Sequence, residues 1–355
     1  MRPVKVLIVD DSMTMRRLIR LALSDDPRIE VVGDARDTAQ ATARIAELRP
    51  DVLTLDVEMP GESGLAFLER LMVDRPMPVI MVSTLTQSGS AAAVQALSLG
   101  AVDCVGKPSA PQSGDFAGLR DLIVAAAGAR IRARPRPAPP PASAEPRDGG
   151  FAWNGRVVLI GSSTGGVDAL ERILAEFPSN CPPTLITQHM PPAFLANFAQ
   201  RLDARIAPRV RLAETGLPVQ QGSIYIAPGG ETHLRLGQPR TPVCELVDDD
   251  KRNGHRPSVD FLFESGAALG ERAIGVMLTG MGRDGAEAML ALRRAGATCL
   301  AQDEATSVVW GMPRVAHELG AVDRLVPLQE MTQAILDLSG RRVPGVNGSL
   351  DSPTS

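Results

Sequence analysis

Residues 161–166, Gly-Ser-Ser-Thr-Gly-Gly, set two hydroxyls on a glycine turn between the apolar run RVVLI and the helix-like pattern VDALERILAEF. A turn of this kind either cradles a phosphate or presents a nucleophile. A phosphate loop needs a lysine and a hydroxyl at its end, and no lysine is present; the dinucleotide fingerprint fails because Ser163 stands where its second glycine belongs. Residues 161–165 do spell G-x-S-x-G, with Ser163 at the centre of a sharp strand-to-helix turn. The Thr164 N–H then falls at a helix N-terminus, where partial positive charge favours an oxyanion. A serine hydroxyl needs a base, and the base needs a third group to hold it. His189, in TLITQHMPP, and Asp284, in AIGVMLTGMGRDGA, each follow an apolar run. Singly, they read as a loop histidine and a helix-capping aspartate. Together with Ser163 at the strand ends of one sheet they make a hydrolase triad. Its chain order, Ser, His, Asp, differs from the Ser, Asp, His of α/β-hydrolases. His233 in a hairpin, His255 in a polar loop and His317 on a helix are weaker candidates.

A second set of groups lies earlier in the chain. Asp10 and Asp11 end the first apolar run, Asp56 the third, Ser83 the fourth and Lys107 the fifth. Carboxylates converging at one sheet edge repel unless a cation neutralises them, and oxygen ligands of this kind suit Mg²⁺. A lysine and a hydroxyl beside them supply charge and a hydrogen bond for a phosphoryl group. A lone Asp-Asp-Ser is more simply a helix cap; the joint pattern is not.

The elements that must position these groups are strands alternating with helices. Before residue 130, five strand–helix units imply a parallel sheet covered on both faces. Residues 131–150, IRARPRPAPPPASAEPRDGG, form a proline-rich spacer, and 343–355 a Gly/Ser/Pro-rich tail. Between them RVVLI, TLITQHM and AIGVMLTG read as strands of a second, mostly parallel sheet, and SIYIAP, THLRLG and CELVDDD as short hairpin strands. At 355 residues and 44% hydrophobic, the chain can fill two cores. Aromatics at 3% and a net charge of −4 argue against a base-stacking or basic nucleic-acid surface. Four scattered cysteines give neither a zinc site nor a disulfide framework. No apolar run is long enough to span a membrane.

Residues 1–130, through Asp10-Asp11, DVEMPGESG, Ser83 and Lys107-Pro108, resemble the receiver domain of two-component response regulators. The resemblance implies a flavodoxin-like (βα)5 fold and phosphorylation of Asp56 by a sensor histidine kinase. It implies Mg²⁺ held by Asp10, Asp11, Asp56 and the backbone carbonyl of Glu58, with Ser83 and Lys107 on the phosphoryl oxygens. Receivers carry Tyr or Phe three residues before the lysine as an inward-swinging switch; Cys104 stands there and cannot make that swing.

IGSSTGG, TQHMPPAF, YIAPGG, GHRPSVDFLF and MLTGMGRDGA resemble the chemotaxis response regulator protein-glutamate methylesterase/protein-glutamine glutaminase (CheB) family. With the receiver, the resemblance covers about residues 1–340. It implies that Ser163 attacks glutamate methyl esters of chemoreceptors, releasing methanol, and that receptor glutamines are deamidated. His189 would be base then acid, Asp284 its orienting partner, the Met281 N–H an oxyanion donor, and Thr164 a shaping residue. The unphosphorylated receiver would block the site. The expected domains are a receiver (1–130), the linker (131–150), a three-layer α/β methylesterase domain with an antiparallel hairpin insertion (151–342), and the tail. Mg²⁺ is the one cofactor expected, none serving the ester hydrolysis. Kinase and receptors are the expected partners of a cytoplasmic monomer, without nucleic acid or membrane insertion. The alternatives are the same enzyme in a non-chemotaxis array, or a response regulator whose output domain only binds. The acidic residues 248–250 oppose DNA binding, and KRNGHR after them reads as a solvated loop, with Arg252 and Arg256 as candidate receptor contacts.

Overall fold

The computed structural model describes residues 2–83, 87–107, 118–131 and 151–341. The expected linker beyond Ile131 and the expected tail lie outside these residues.

The N-terminal unit alternates β1 (Val4–Val9), α1 (Met13–Ser24), β2 (Ile29–Ala35), α2 (Thr38–Leu48), β3 (Val52–Asp56), α3 (Gly64–Asp74), β4 (Val79–Ser83), α4 (Gln87–Leu99), β5 (Asp103–Gly106) and α5 (Leu119–Ala127). Its five strands pair in parallel in the order β2-β1-β3-β4-β5. β1, β3 and β4 are almost wholly buried apolar runs, as helices on both faces of a parallel sheet require. Side-chain caps start the helices: Ser12 Oγ takes the Met15 N–H, Asp37 that of Gln40 and Ser63 that of Ala66. Ser12 is thus the capping residue of the Asp-Asp-Ser run, which leaves both aspartates to the sheet edge.

The C-terminal unit contains β6 (Val157–Ser162), α6 (Gly166–Ala175), β7 (Thr184–Gln188), α7 (Pro192–Asp203), β8 (Arg209–Leu212), β9 (Ser223–Ile226), β10 (Thr232–Gly237), β11 (Val243–Asp248), α8 (Val259–Gly266), β12 (Ala273–Met277), α9 (Ala286–Arg294), β13 (Thr298–Gln302), α10 (Met312–Glu318), β14 (Arg324–Val326) and α11 (Leu328–Ser339). Seven of these strands make one parallel sheet, β14-β13-β12-β6-β7-β9-β8. One apolar layer joins the sheet to α6, α7 and α11; the other joins it to α8, α9, α10 and the antiparallel pair β10–β11. The sheet grows outward from β6 in both directions, so its topological switch lies beside β6, where open α/β sheets hold their ligands. One sequence reading is corrected: Ser223–Ile226 is not a hairpin strand but pairs in parallel with β7 and β8.

The two units meet closely. A single run of buried apolar side chains continues from Phe67, Val94 and Leu97 of the first unit to Leu170, Phe194 and Phe198 of the second. Ser98 Oγ donates to Glu171 at 2.8 Å, and Arg201 Nε donates to the same carboxylate oxygen at 2.6 Å.

Candidate active site and acidic cluster

The buried strand β6 carries the chain to Ser162 and Ser163 at its carboxyl end. The structure separates the two hydroxyls. Ser162 is fully buried and its Oγ donates to Gln188 Oε1 at 2.6 Å. Ser163 keeps some exposure (9%), while its backbone is fixed from both sides: its N–H reaches Thr279 O at 3.0 Å and its carbonyl accepts from Gln188 Nε2 at 2.9 Å. The turn closes through Gly165, whose φ of +77° begins α6 and whose missing Cβ would lie 2.6 Å from Val308.

His189 directly follows β7, and its N–H extends the ladder to Ser162 O at 3.1 Å. Its Nε2 lies 2.8 Å from Asp284 Oδ2, and its Nδ1 is buried with no hydrogen-bond partner. Asp284 stands in the loop after β12, one residue before the Gly285 cap of α9. Its Oδ1 accepts from Ser258 Oγ at 2.6 Å and from Asn253 Nδ2 at 3.2 Å, and its Oδ2 from the Val259 N–H at 2.6 Å. Burial alone would raise the Asp284 carboxyl. The bonds from His189, Ser258 and Val259 outweigh it and hold the group well below the usual carboxylate range. An ionised Asp284 only accepts, so the proton between the two residues sits on His189 Nε2. In the neutral imidazole the lone pair is then at Nδ1. Asp260 moves the other way, pushed up by burial and by the Asp284 charge.

Ser163, His189 and Asp284 thus come together after the adjacent strands β6, β7 and β12, though no hydrogen bond joins the serine hydroxyl to Nδ1. The Met281 loop is pinned at Gly280, which donates to Val309 O at 3.0 Å and accepts from Met312 N–H at 2.8 Å. Thr164 faces the other unit: its Oγ1 donates to Asp103 Oδ2 at 2.6 Å, and the next N–H, of Gly165, reaches Val102 O at 3.1 Å. Burial raises the Asp103 carboxyl, with the Thr164 bond opposing it.

Sequence reasoning missed Gln188, Ser258, Asn253, Asp103 and the role of residues 251–256. That run is not simply a solvated loop. Arg252 lies over the Phe261 ring at 4.0 Å and pairs with Glu264 at 2.6 Å; Arg256 donates to Gly230 O and pairs with Glu231. The signal available was the Asn-Gly pair, which favours a tight turn. His233 is buried and accepts the Ser258 N–H at 3.1 Å, a structural position, and burial lowers its basicity.

In the first unit, carboxylate oxygens of Asp10, Asp11 and Asp56 lie within 4.8 Å of one another. Lys107 Nζ stands 2.8 Å from Asp56 Oδ2 and 3.1 Å from Asp10 Oδ2, yet the latter oxygen makes no hydrogen bond. Burial raises both Asp10 and Asp56, with Lys107 opposing. Three carboxylates gathered at one sheet edge, two of them buried and with one lysine among them, fit a hard divalent cation. Ser83, buried, ends β4 beside them, and the Glu58 N–H donates to Asp56 Oδ1 at 3.3 Å.

The family described as CheB methylesterase matches residues 158–335, and the response regulator receiver domain matches residues 6–114. The chain is 52% identical, over 97% of its length and 99% of the relative's, to a protein-glutamate methylesterase/protein-glutamine glutaminase of Rhizobium johnstonii. It is 53% identical, over 96% of its length and the whole of the relative, to one of Caulobacter vibrioides. The crystal structure of the Thermotoga maritima CheB methylesterase catalytic domain is similar with a TM-score of 0.50 and 39% identity, covering 52% of this chain and 99% of that one. Matched through its catalytic half and more than half identical to full-length relatives, the chain belongs to the CheB methylesterase family, with a response regulator receiver domain at its front.

Proposed function

We propose that this chain hydrolyses glutamate methyl esters on chemoreceptors, and deamidates receptor glutamines, through Ser163, His189 and Asp284. One observation carries the reading: the His189–Asp284 pair at 2.8 Å leaves a buried, unpartnered Nδ1 on a residue whose backbone N–H is bonded to Ser162, the neighbour of Ser163. Nδ1 takes the hydroxyl proton as Ser163 Oγ attacks the ester carbonyl carbon. The negative charge that develops on the carbonyl oxygen meets the Thr164 N–H, just before α6, and the Met281 N–H. Protonated His189 then returns its proton to the leaving oxygen, and methanol departs. Water, deprotonated by the same Nδ1, releases the glutamate and regenerates the serine. Deamidation follows the same course with ammonia leaving. Asp284 stays ionised throughout and steadies the transient imidazolium.

In the receiver, Asp56 is the phosphoryl acceptor, with a sensor histidine kinase as donor. Asp10, Asp11, Asp56 and the Glu58 carbonyl would hold Mg²⁺, which when bound neutralises phosphoryl oxygens during transfer. Ser83 and Lys107 contact those oxygens. The phosphoryl group adds a charge of roughly −1.5 to −2, and the contacts from Ser98, Val102 and Asp103 to the second unit are where that change is felt. We place the enzyme in the cytoplasm as a monomer; no described helix is long and apolar enough to cross a membrane.

The test is methanol release from methylated receptor. Ser163→Ala should be inactive, while Ser162→Ala, which loses only a strand-end bond to Gln188, keeps most of the rate. An active Ser163→Ala enzyme ends the triad reading.

A further inference from the structure

The stretch Arg252-Asn253-Gly254-His255 is a two-residue turn. Arg252 and His255 exchange both backbone hydrogen bonds, at 3.1 and 2.9 Å, and Asn253 and Gly254 take φ of 51° and 82°. Positive φ at both central positions is the geometry that an Asn-Gly pair favours. The shoulders are anchored, Arg252 on Phe261 and Glu264 and Arg256 on the carbonyls of Gly230 and Asp249. The tip reaches the charged pair of the site. Asn253 Nδ2 bridges Asp260 Oδ2 at 2.6 Å and Asp284 Oδ1 at 3.2 Å. The His255 ring lies flat on the His189 ring, with centroids 3.8 Å apart and planes within 7°.

We propose that His255 is a positioning residue for the hydrolysis, its flat ring holding the His189 imidazole in the plane that joins Nε2 to Asp284 and leaves Nδ1 toward Ser163. The proposal rests on the triad reading above. His189 has one hydrogen-bonded ring nitrogen, and a ring held at one edge can swing about that bond. A parallel ring in van der Waals contact across its face removes that freedom. An error of an ångström at the reacting atoms costs on the order of a hundredfold in rate. The stacked partner must also be uncharged, because His189 becomes positive during the reaction. Burial first, then the neighbouring His189, lowers His255 to about 4. The other charges bearing on it are Asp284, which opposes that shift, and Lys251, which adds to it; Asp260 lies beyond Asn253. A neutral ring accepts an imidazolium across its face, and a charged one would repel it.

The experiment compares His255→Ala, His255→Phe and His255→Leu in the full chain, with methylated receptor under identical phosphorylating conditions. Melting temperature is followed in parallel, and His189→Ala serves as control. His255→Ala should lower kcat by about tenfold or more with KM within about twofold. His255→Phe should recover kcat to within about threefold, and His255→Leu should not. Wild-type kcat in His255→Ala overturns the proposal, as does recovery by Leu equal to that by Phe, since bulk rather than a flat ring would then suffice. If His255→Ala does not fold, the Phe–Leu comparison decides. A fully active His189→Ala enzyme would instead sink the triad reading, a result distinct from either.

Discussion

The contact between Asp103 and Thr164 joins the receiver to the residue after Ser163, the proposed nucleophile, and its strength can be read as a rate. In the unphosphorylated chain the Thr164 hydroxyl donates to a carboxylate at 2.6 Å. A hydrogen bond to a charged acceptor contributes about 1.5–3 kcal/mol, and partial exposure of Asp103 places it at the lower end. About 1.4 kcal/mol is tenfold in an equilibrium. Asp103→Ala should therefore shift the closed–open balance of the two units about tenfold toward open and raise basal methanol release by the same factor. The ceiling is the rate of the fully phosphorylated enzyme, which the substitution leaves unchanged because Asp103 belongs to the receiver. Arg130→Ala is the comparator. It removes an ion pair with Glu304 in which both side chains are more than half exposed, and such pairs contribute about 0–1 kcal/mol, so its basal rate should rise less than about fivefold. The assay is methanol release by unphosphorylated protein at saturating methylated receptor and again well below saturation. A basal rate of Asp103→Ala equal to wild type under both conditions refutes the reasoning.

Other outcomes follow from the same geometry. Ser258→Ala removes a 2.6 Å donor from the buried Asp284 and should cost about 1.5–3 kcal/mol of stability, read by urea unfolding, with a lowered kcat. His255 titrates near 4 when folded against 6.5 for the free group. The unfolded chain therefore takes up that proton first as pH falls, and this contribution is complete above about 6.5 and declines toward about 4. His255→Phe should flatten that part of the urea midpoint–pH curve; the slope that remains includes His233, also lowered by burial. Asp56→Asn should abolish activation by a phosphodonor while leaving basal activity intact, and a variant that is still activated would remove Asp56 from the regulatory path.

The sequence made some parts of this molecule legible and hid others for physical reasons. β6, β7 and β12 are central and wholly buried, so they read as largely apolar runs; Ser163 and His189 directly follow the first two, and Asp284 lies in the glycine loop that leads from the third into a helix. β8, Arg209–Leu212, sits at the sheet edge with alternating exposure, and β14 has three residues, so neither announced itself. β9 was misread because turn residues follow it, whereas its partner β7 lies some forty residues earlier and no local pattern records that pairing. Asn253 and His255 sit in a polar run whose composition signals solvent; only the tertiary return of the turn brings them onto Asp284 and His189. Asp103 was invisible for the same reason, because its partner belongs to another unit.

The Asp103 contact has one more consequence. Ester hydrolysis turns a neutral glutamate ester into a free carboxyl group, and a carboxyl group is what Asp103 holds at 2.6 Å on the hydroxyl of Thr164, the residue after Ser163. The receiver thus sets a group of the product's chemical kind on the residue next to Ser163. A group held there in competition with substrate would leave the chemical step untouched, so basal methanol release should rise toward the phosphorylated rate as receptor density increases, even before any phosphoryl group arrives.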